Sequence, residues 1–240
     1  MADTKPLQET LYKEFIGRIE EDNESVPEKD GPYEYWWKIE RGQDYPSHLR
    51  KHIETGEISV FFDENSEKEA AGTKFFNVGS LEISDDHSLM AYVVDTTGSE
   101  YYDIRFRNLE TGEDHPEVIS NCDSHSAVWS KDGSRFYYVE REGDRPKRVK
   151  CHILGTPVEE DRILFENDSD TLFMGLDRTL SGDYILITRA NSESSETYLL
   201  EADAGDHAVP GIISPLRQGH EYNIDHRGDY FYITTNKDAA

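Results

Sequence analysis

Nucleophilic, metal-assisted and acid–base chemistry each leave a mark in residue type and spacing. A chain of 240 residues with nine histidines, two cysteines and 50 acidic residues offers material for all three. A hydrolase nucleophile of the serine kind sits on a sharp strand-to-helix turn written G-x-S-x-G. No such run occurs in the sequence, nor does a G-x-G-x-x-G or another phosphate-cradling glycine loop. His48 and His52 stand at i, i+4, which suits a metal only on a helix. Their surroundings read as strand, so the pair is fortuitous. Asn167-Asp168-Ser169-Asp170 resembles the start of a calcium loop but lacks its glycine and distal glutamate, and reads as a polar turn. Asp95-Thr96-Thr97-Gly98-Ser99-Glu100 is the most conspicuous polar cluster. It is either a ligand-contact loop at one end of the fold or a hairpin turned by Gly98, and its chemistry favours the hairpin. Cys122 and Cys151, 29 residues apart, match neither a disulfide framework nor a metal-ligand spacing, and read as core or strand thiols of a reducing compartment. The expectation is therefore no catalytic residue, no cofactor-binding residue, no metal ligand and no cofactor.

The elements that would carry such residues fall into two kinds. Up to about Glu21 the pattern is helical, with Leu7, Leu11 and Phe15 at i, i+4, i+8 and Tyr12, Ile16 and Ile19 widening the stripe. Asp3 or Thr4 can cap this helix and Pro6 suits its first turn. Asp22 to Pro32, polar and with two prolines, reads as a linker. From Gly31 onward short strands alternate with turns.

Self-similarity organises this second part. A tight turn followed by an aromatic-rich strand appears at Ser84–Val94 and Ser130–Val139, with weaker copies at Leu180–Ile187 and Asp225–Ile233. The turn positions His87, Gly133, Gly182 and Gly228 are separated by 46, 49 and 46 residues. Such a period, with four strands per unit, is the mark of β-propeller blades. First strands are expected at 75–84, 124–130, 172–179 and 221–225, third strands at 101–109, 148–154 and 197–202, and fourth strands at 117–120, 162–165 and 211–214. An incomplete first copy uses Tyr33 to Ile39, His48 to Ile53 and Ile58 to Phe62. Glu54-Thr55-Gly56-Glu57, Glu110-Thr111-Gly112-Glu113 and Asp203-Ala204-Gly205-Asp206 recur as turns at equivalent places. Trp129 reads as a core anchor, whereas Trp36 and Trp37 put one ring on each face of their strand.

A formal charge of −25 repels phosphate backbones, so nucleic acid is not an expected partner. The same charge either attracts basic peptides or simply keeps the surface soluble. No apolar stretch is long enough to span a bilayer and no signal peptide is visible, so the expected location is cytoplasmic. The sequons at Asn23 and Asn167 are then chance matches.

Glu9 to Ile19, Val26-Pro27 and Tyr33 to Lys51, with Gly42-Gln43-Asp44-Tyr45-Pro46 and Arg50-Lys51 among the more specific stretches, resemble the amino-terminal region of the oligopeptidase B group in the prolyl oligopeptidase family of serine peptidases. The resemblance continues through Asp95–Glu100 and Arg105–Gly112 to Tyr232–Ala239. It implies a seven-bladed propeller that caps an α/β-hydrolase domain and restricts access to peptides, with the catalytic Ser, Asp and His following the propeller in sequence. It also implies cleavage after Lys or Arg, through acidic residues largely in the hydrolase domain, and an amino-terminal segment that packs on that domain. The expected fold is mainly β: an incomplete seven-bladed-type propeller of four-stranded blades, preceded by a short amino-terminal helix. Residues 1–30 are expected as helix and linker. Residues 31–240 are expected as about four blades, the last cut after its second strand, with the hydrolase domain absent. The expected function is that of an inactive propeller fragment of a peptidase. The alternative is a stand-alone acidic propeller that binds basic peptides or a partner protein without cleaving.

Overall fold

The structure, a computed structural model, describes residues 4–205 and 208–238. Two compact units divide the chain, Met1–Gly72 and Thr73–Ala240.

The first unit contains α1 (Lys5–Ile16), β1 (Asn23–Glu24), β2 (Glu28–Asp30), β3 (Tyr33–Ile39), β4 (Ser47–His52), β5 (Ile58–Asp63) and α2 (Glu64–Ala71). Helix α1 stops at Ile16, short of Glu21, where the bonds tighten to i−3: the Arg18 N–H donates to the Phe15 carbonyl and the Ile19 N–H to that of Ile16. Leu7, Leu11 and Phe15 on this helix are 59%, 42% and 63% exposed. The linker expected between Asp22 and Pro32 is corrected by the structure. β1 and β2 both pair antiparallel with β3, along the edge that β4 leaves free. Pairing completes an aromatic central strand whose edge would otherwise present unbonded amides. Ser25 Oγ accepts the Trp37 N–H and Asp22 Oδ1 accepts the Arg41 N–H, so polar residues do this work and hide it from hydropathy. Helix α2 has no counterpart in the sequence reading. It starts where Asp63 Oδ1 accepts the Asn65 N–H and ends at Gly72 with φ 64°.

The second unit is built from β6 (Asn77–Ile83), β7 (Leu89–Asp95), β8 (Tyr102–Asn108), β9 (Asp114–Trp129), β10 (Arg135–Glu142), β11 (Arg145–Ile153), β12 (Arg162–Glu166), β13 (Phe173–Arg178), β14 (Tyr184–Ala190), β15 (Ser195–Glu201), β16 (Gly211–Ser214), β17 (Tyr222–Arg227) and β18 (Tyr230–Thr235). The order is that of successive antiparallel meanders: β13-β14-β15-β16 form one sheet and β17-β18 another. One feature departs from the expected pattern. The fourth strand of one blade and the first of the next are fused into the 16-residue β9, which joins seven strands into one sheet. Asn121, at φ 62°, sits in this strand where its pairing passes from β8 to β10; Asn tolerates that conformation better than most residues. Counting by copy, blade 1 is the incomplete copy in the first unit. Blade 2 is β6 to the start of β9, blade 3 the end of β9 to β12, blade 4 β13–β16 and blade 5 β17–β18.

Three of the turns after first strands repeat one hydrogen-bond pattern. The Ser84 N–H donates to the Leu89 carbonyl and the His87 N–H to that of Ser84; Ser130, Arg135 and Gly133 do the same, as do Thr179, Tyr184 and Gly182. The turn residues His87, Gly133, Gly182 and Gly228 have φ of 60°, 67°, 72° and 62°, so the 46–49-residue period marks one left-handed position. The turns at Gly56 and Gly112 also share their bonds, to His52 and Asn108. Asp206 of the third copy lies outside the described residues.

Blade 3 shows why the central strands read as unbroken apolar runs. Phe136 and Tyr138 join Ala91, Val93, Ile104 and Phe106 of blade 2 in one core. Tyr137 and Val139 point the other way and join Met174, Leu176, Ile185 and Ile187 of blade 4 in a second. Alternate residues face opposite sides, and both sides are covered. Trp129 anchors the first core as expected, edge-on to Phe136 at 4.8 Å, with its Nε1 donating to the Glu82 carbonyl at 2.8 Å.

Towards the axis the first strands approach so closely that only a glycine fits: a Cβ on Gly79 would lie 2.4 Å from the Ser124 carbonyl oxygen. Gly112, at φ 73°, has nothing near its Cβ position. Gly79→Ala is expected to cost about 3 kcal/mol through forced separation of backbones, against roughly 1 kcal/mol for Gly112→Ala from φ strain alone. Urea unfolding of the two variants, with matched slopes, checks the ranking.

Candidate functional site

Turns of the Ser84–Ser88 kind lie at one end of the second unit, here the turn end. The hairpins Asp95–Tyr101, Glu142–Arg145 and Ala190–Ser195 lie at the other, the loop end. The Asp95–Glu100 cluster resolves as a self-contained hairpin. The buried Asp95 carboxylate accepts the N–H groups of Thr97, Gly98 and Glu100 and the Thr97 hydroxyl. Burial pushes this carboxyl up, but the donors outweigh it and hold it below the usual carboxylate range. An acceptor so occupied is not offered to a ligand. Two cations at this end lie over aromatic rings: Arg141 Nη1 donates to the Glu100 carbonyl at 2.8 Å while its guanidinium lies over Tyr101, and Arg145 lies 4.2 Å over Phe173.

Two buried polar groups were not legible singly. Tyr92 Oη donates to Asp114 at 2.8 Å, and Arg107 pairs with the same carboxylate at 2.5 Å. One blade later Tyr138 Oη donates to Asp161 at 2.8 Å, and the fully buried His152 Nδ1 meets the other carboxylate oxygen at 2.7 Å. His152 stacks on Phe106 and its Nε2 is buried without a partner. Aligning the blades by their turns would have found both sets, since a Tyr, an Arg or His, and an Asp recur 46, 45 and 47 residues on. Each ties a central strand to the outermost strand of its blade, and a hydrogen bond to a carboxylate contributes about 1.5–3 kcal/mol. Burial raises the Asp114 carboxyl, yet Arg107 and Tyr92 together hold it below the ordinary range. These are clips, not reactive centres.

The other sequence candidates separate. His48 bonds Glu64 at 2.8 Å and His52 accepts the Thr55 N–H, on a strand where four residues span about 13 Å. Asn167 closes its own turn, accepting the Ser169 N–H and donating to Leu172, and Asp168 pairs with Arg189 at 2.6 Å. Cys122 and Cys151 are both buried and neither is in a disulfide, and burial pushes the Cys122 thiol well up. Among the described residues no group of His, Cys, Asp and Glu could hold a metal, and no helix is long and apolar enough to cross a membrane.

Two places keep unspent chemistry. On the innermost strand of blade 2, the Glu82 carboxyl is withdrawn from water although the residue as a whole keeps partial exposure. Burial raises it to about 7; Ser80 offsets part of this and the negative Asp177 of blade 4 adds to it. At the turn end, a groove of about 490 Å³ runs past Asp183, Glu201, Asp203 and Asp229, with Lys131 and His226 also lining it. Its floor is aromatic: Tyr184 and Phe231 stand 5.0 Å apart, each 4.8 Å from His226. Carboxylates over aromatic rings suit a guanidinium or ammonium group.

Residues 1–240 match the family model described as the N-terminal β-propeller domain of prolyl oligopeptidase. Dipeptidyl aminopeptidase BI of Pseudoxanthomonas mexicana is 36% identical over all of this chain, and the match spans 35% of that protein. Among solved structures, oligopeptidase B of Trypanosoma brucei, in a closed form with covalently bound antipain, is 30% identical with a TM-score of 0.87. Oligopeptidase B of Leishmania major is 25% identical with a TM-score of 0.88. Each of these two matches covers 99% of this chain and 34% of the solved chain. The chain thus spans about a third of the length of the relatives it matches.

Glu82 gives a pH test. Its folded-state value of about 7 lies above the ordinary 4.5, so the folded form holds the proton more tightly. Stability from this group is therefore full below pH 4.5, falls as pH rises, and is lost above pH 7. Glu82→Gln is expected to match the parent chain near pH 4 and to exceed it above pH 7, read as a rising urea midpoint. Equal midpoints at both ends would refute the burial of this carboxyl.

Proposed function

The chain belongs to the prolyl oligopeptidase family through its N-terminal β-propeller domain, and from that premise we propose that it is the access-restricting propeller portion of an oligopeptidase B-like serine peptidase. In this reading the complete enzyme hydrolyses short peptides after Lys or Arg in the cytoplasm, and the propeller admits peptides while turning folded proteins away. The observation that carries the assignment is the likeness to two oligopeptidase B structures across 99% of the chain at TM-scores of 0.88 and 0.87. The 240 residues themselves are read as inactive, because no G-x-S-x-G run is present in them. The domain assignment follows: helix and pairing strands at the amino end, then blades.

A second reading, binding of basic peptides without cleavage, is favoured by the acidic, aromatic-floored groove at the turn end. It is compatible with the first, since a propeller that gates a Lys- or Arg-directed peptidase meets cationic peptides.

Both readings are measurable. The purified 240-residue chain should release no product from arginyl or lysyl ester and amide substrates. Inhibitor-sensitive turnover would overturn its inactivity, and a complete gene product that ignored those substrates would overturn the specificity. For the groove, calorimetric titration with a short arginine-rich peptide should give a salt-sensitive affinity that weakens about tenfold in Glu201→Gln/Asp229→Asn. An affinity untouched by that double substitution would remove the groove from the account.

A further inference from the structure

We infer that Arg178 and Asp85 form an ionic strap joining the first strands of blades 2 and 4 across the end of blade 3, releasable by salt. The two residues are 93 apart in sequence, and the pair skips a whole blade. Contact is bidentate: Arg178 Nη1 donates to Asp85 Oδ1 at 2.6 Å and Nη2 to Oδ2 at 2.8 Å. Parallel bonds of this kind hold a direction as well as a distance.

Three observations distinguish the strap from an incidental surface pair. The Arg178 side chain is 16% exposed against 40% for Asp85, so the cation is largely sheltered and the anion comes to it. Its Nε donates to the Gly182 carbonyl at 2.9 Å, which fixes the guanidinium under the turn of its own blade before it reaches out. That turn has been left open for it, since a Cβ on Gly182 would lie 2.7 Å from Arg178 Nη2. An ordinary exposed pair has neither a third bond nor a vacated pocket, and contributes little.

The strap also has neighbours that make the turn end of blades 2, 3 and 4 an ionic assembly. Lys131 on the blade 3 turn donates to Asp183 on the blade 4 turn at 2.6 Å, and the Asp132 N–H donates to Asp203. At the next boundary the character changes. Blade 4 meets blade 5 there through the Leu180 N–H on Asp225 Oδ1 and through His226 Nδ1 with Ser181 Oγ, both at 2.9 Å, with His226 Nδ1 also 3.6 Å from Asp183 Oδ2. Blades 2 to 4 are thus held by an arginine and a lysine paired with carboxylates, and blades 4 and 5 by an N–H, a hydroxyl and an imidazole. Raising ionic strength loosens the first set more than the second. The strap concerns these blades alone and stands whether or not the peptidase reading holds.

Hydrogen–deuterium exchange on the full 240-residue chain tests it, followed in peptides covering β6 and β13. Between about 0.1 and about 1 M NaCl the screening length falls from about 10 to about 3 Å, and exchange in both strands should speed up roughly threefold, with β17 unchanged. Asp85→Asn and Arg178→Gln should show the fast rate already at low salt. The reversed pair, Asp85→Arg with Arg178→Asp, should recover part of the slow rate, which a simple folding defect would not allow. Exchange in β6 and β13 that ignores both salt and Asp85→Asn overturns the strap, and so does a reversed pair no slower than the single variants.

Discussion

Burial of both faces of central strands such as β7 and β10 is the constraint on which the second unit rests. An isolated meander hides one face at most, whereas β10 sends Phe136 and Tyr138 into one core and Tyr137 and Val139 into another. Each blade is therefore the lid of its neighbour, and its side chains are chosen for two partners at once. The contrast with β18 is instructive. Tyr230, Phe231, Tyr232 and Ile233 are just as apolar as the β10 run, yet all four are exposed, because blade 5 has a described neighbour on one side only and its covered residues lie on β17.

Two-faced burial leaves polar chemistry few places to go. Inside a blade it is gathered into hydrogen-bonded sets, although His152 Nε2 is left without a partner. Tyr92 with Asp114 and Arg107 is one; Tyr138 with Asp161 and His152 is another. The equivalent positions in blade 4, Ile187 and Leu200, are apolar and lie in the second core. The same scaffold position can be a charged clip or plain packing, so the clip is a local solution to fastening an outer strand and not a requirement of the fold. Remaining charge collects at the two ends, where strands turn and water reaches.

The repeat was legible because its turn is legible. A residue at positive φ with a serine or threonine three positions before it survives in His87, Gly133 and Gly182, and the period follows from it. Third and fourth strands could be placed because their apolar residues alternate between turns. What escaped was structure made by polar residues. β1 and β2 are polar segments that act by completing the edge of β3, and hydropathy carries no trace of that. Helix α2 rests on a cap at Asp63 and a closing glycine, without an apolar stripe to announce it. The fusion within β9 escaped for a related reason: a left-handed Asn121 looks like a turn in sequence, but the pairing on either side carries the strand through it.

The candidate sites show the same division of labour at finer scale. The Asp95–Glu100 run was the most conspicuous polar cluster and read as a hairpin, and in the fold its oxygen-bearing residues satisfy one another. Glu82 looked unremarkable, one acid among 50, and becomes distinctive through burial on the innermost strand of blade 2, to which Asp177, 95 positions away on blade 4, adds. Local crowding of polar residues in a strand-and-turn protein thus signals a turn that closes itself. Unspent chemistry arises where the repeat superposes residues that no local window contains, and the inner strands and the turn end are where successive blades do so.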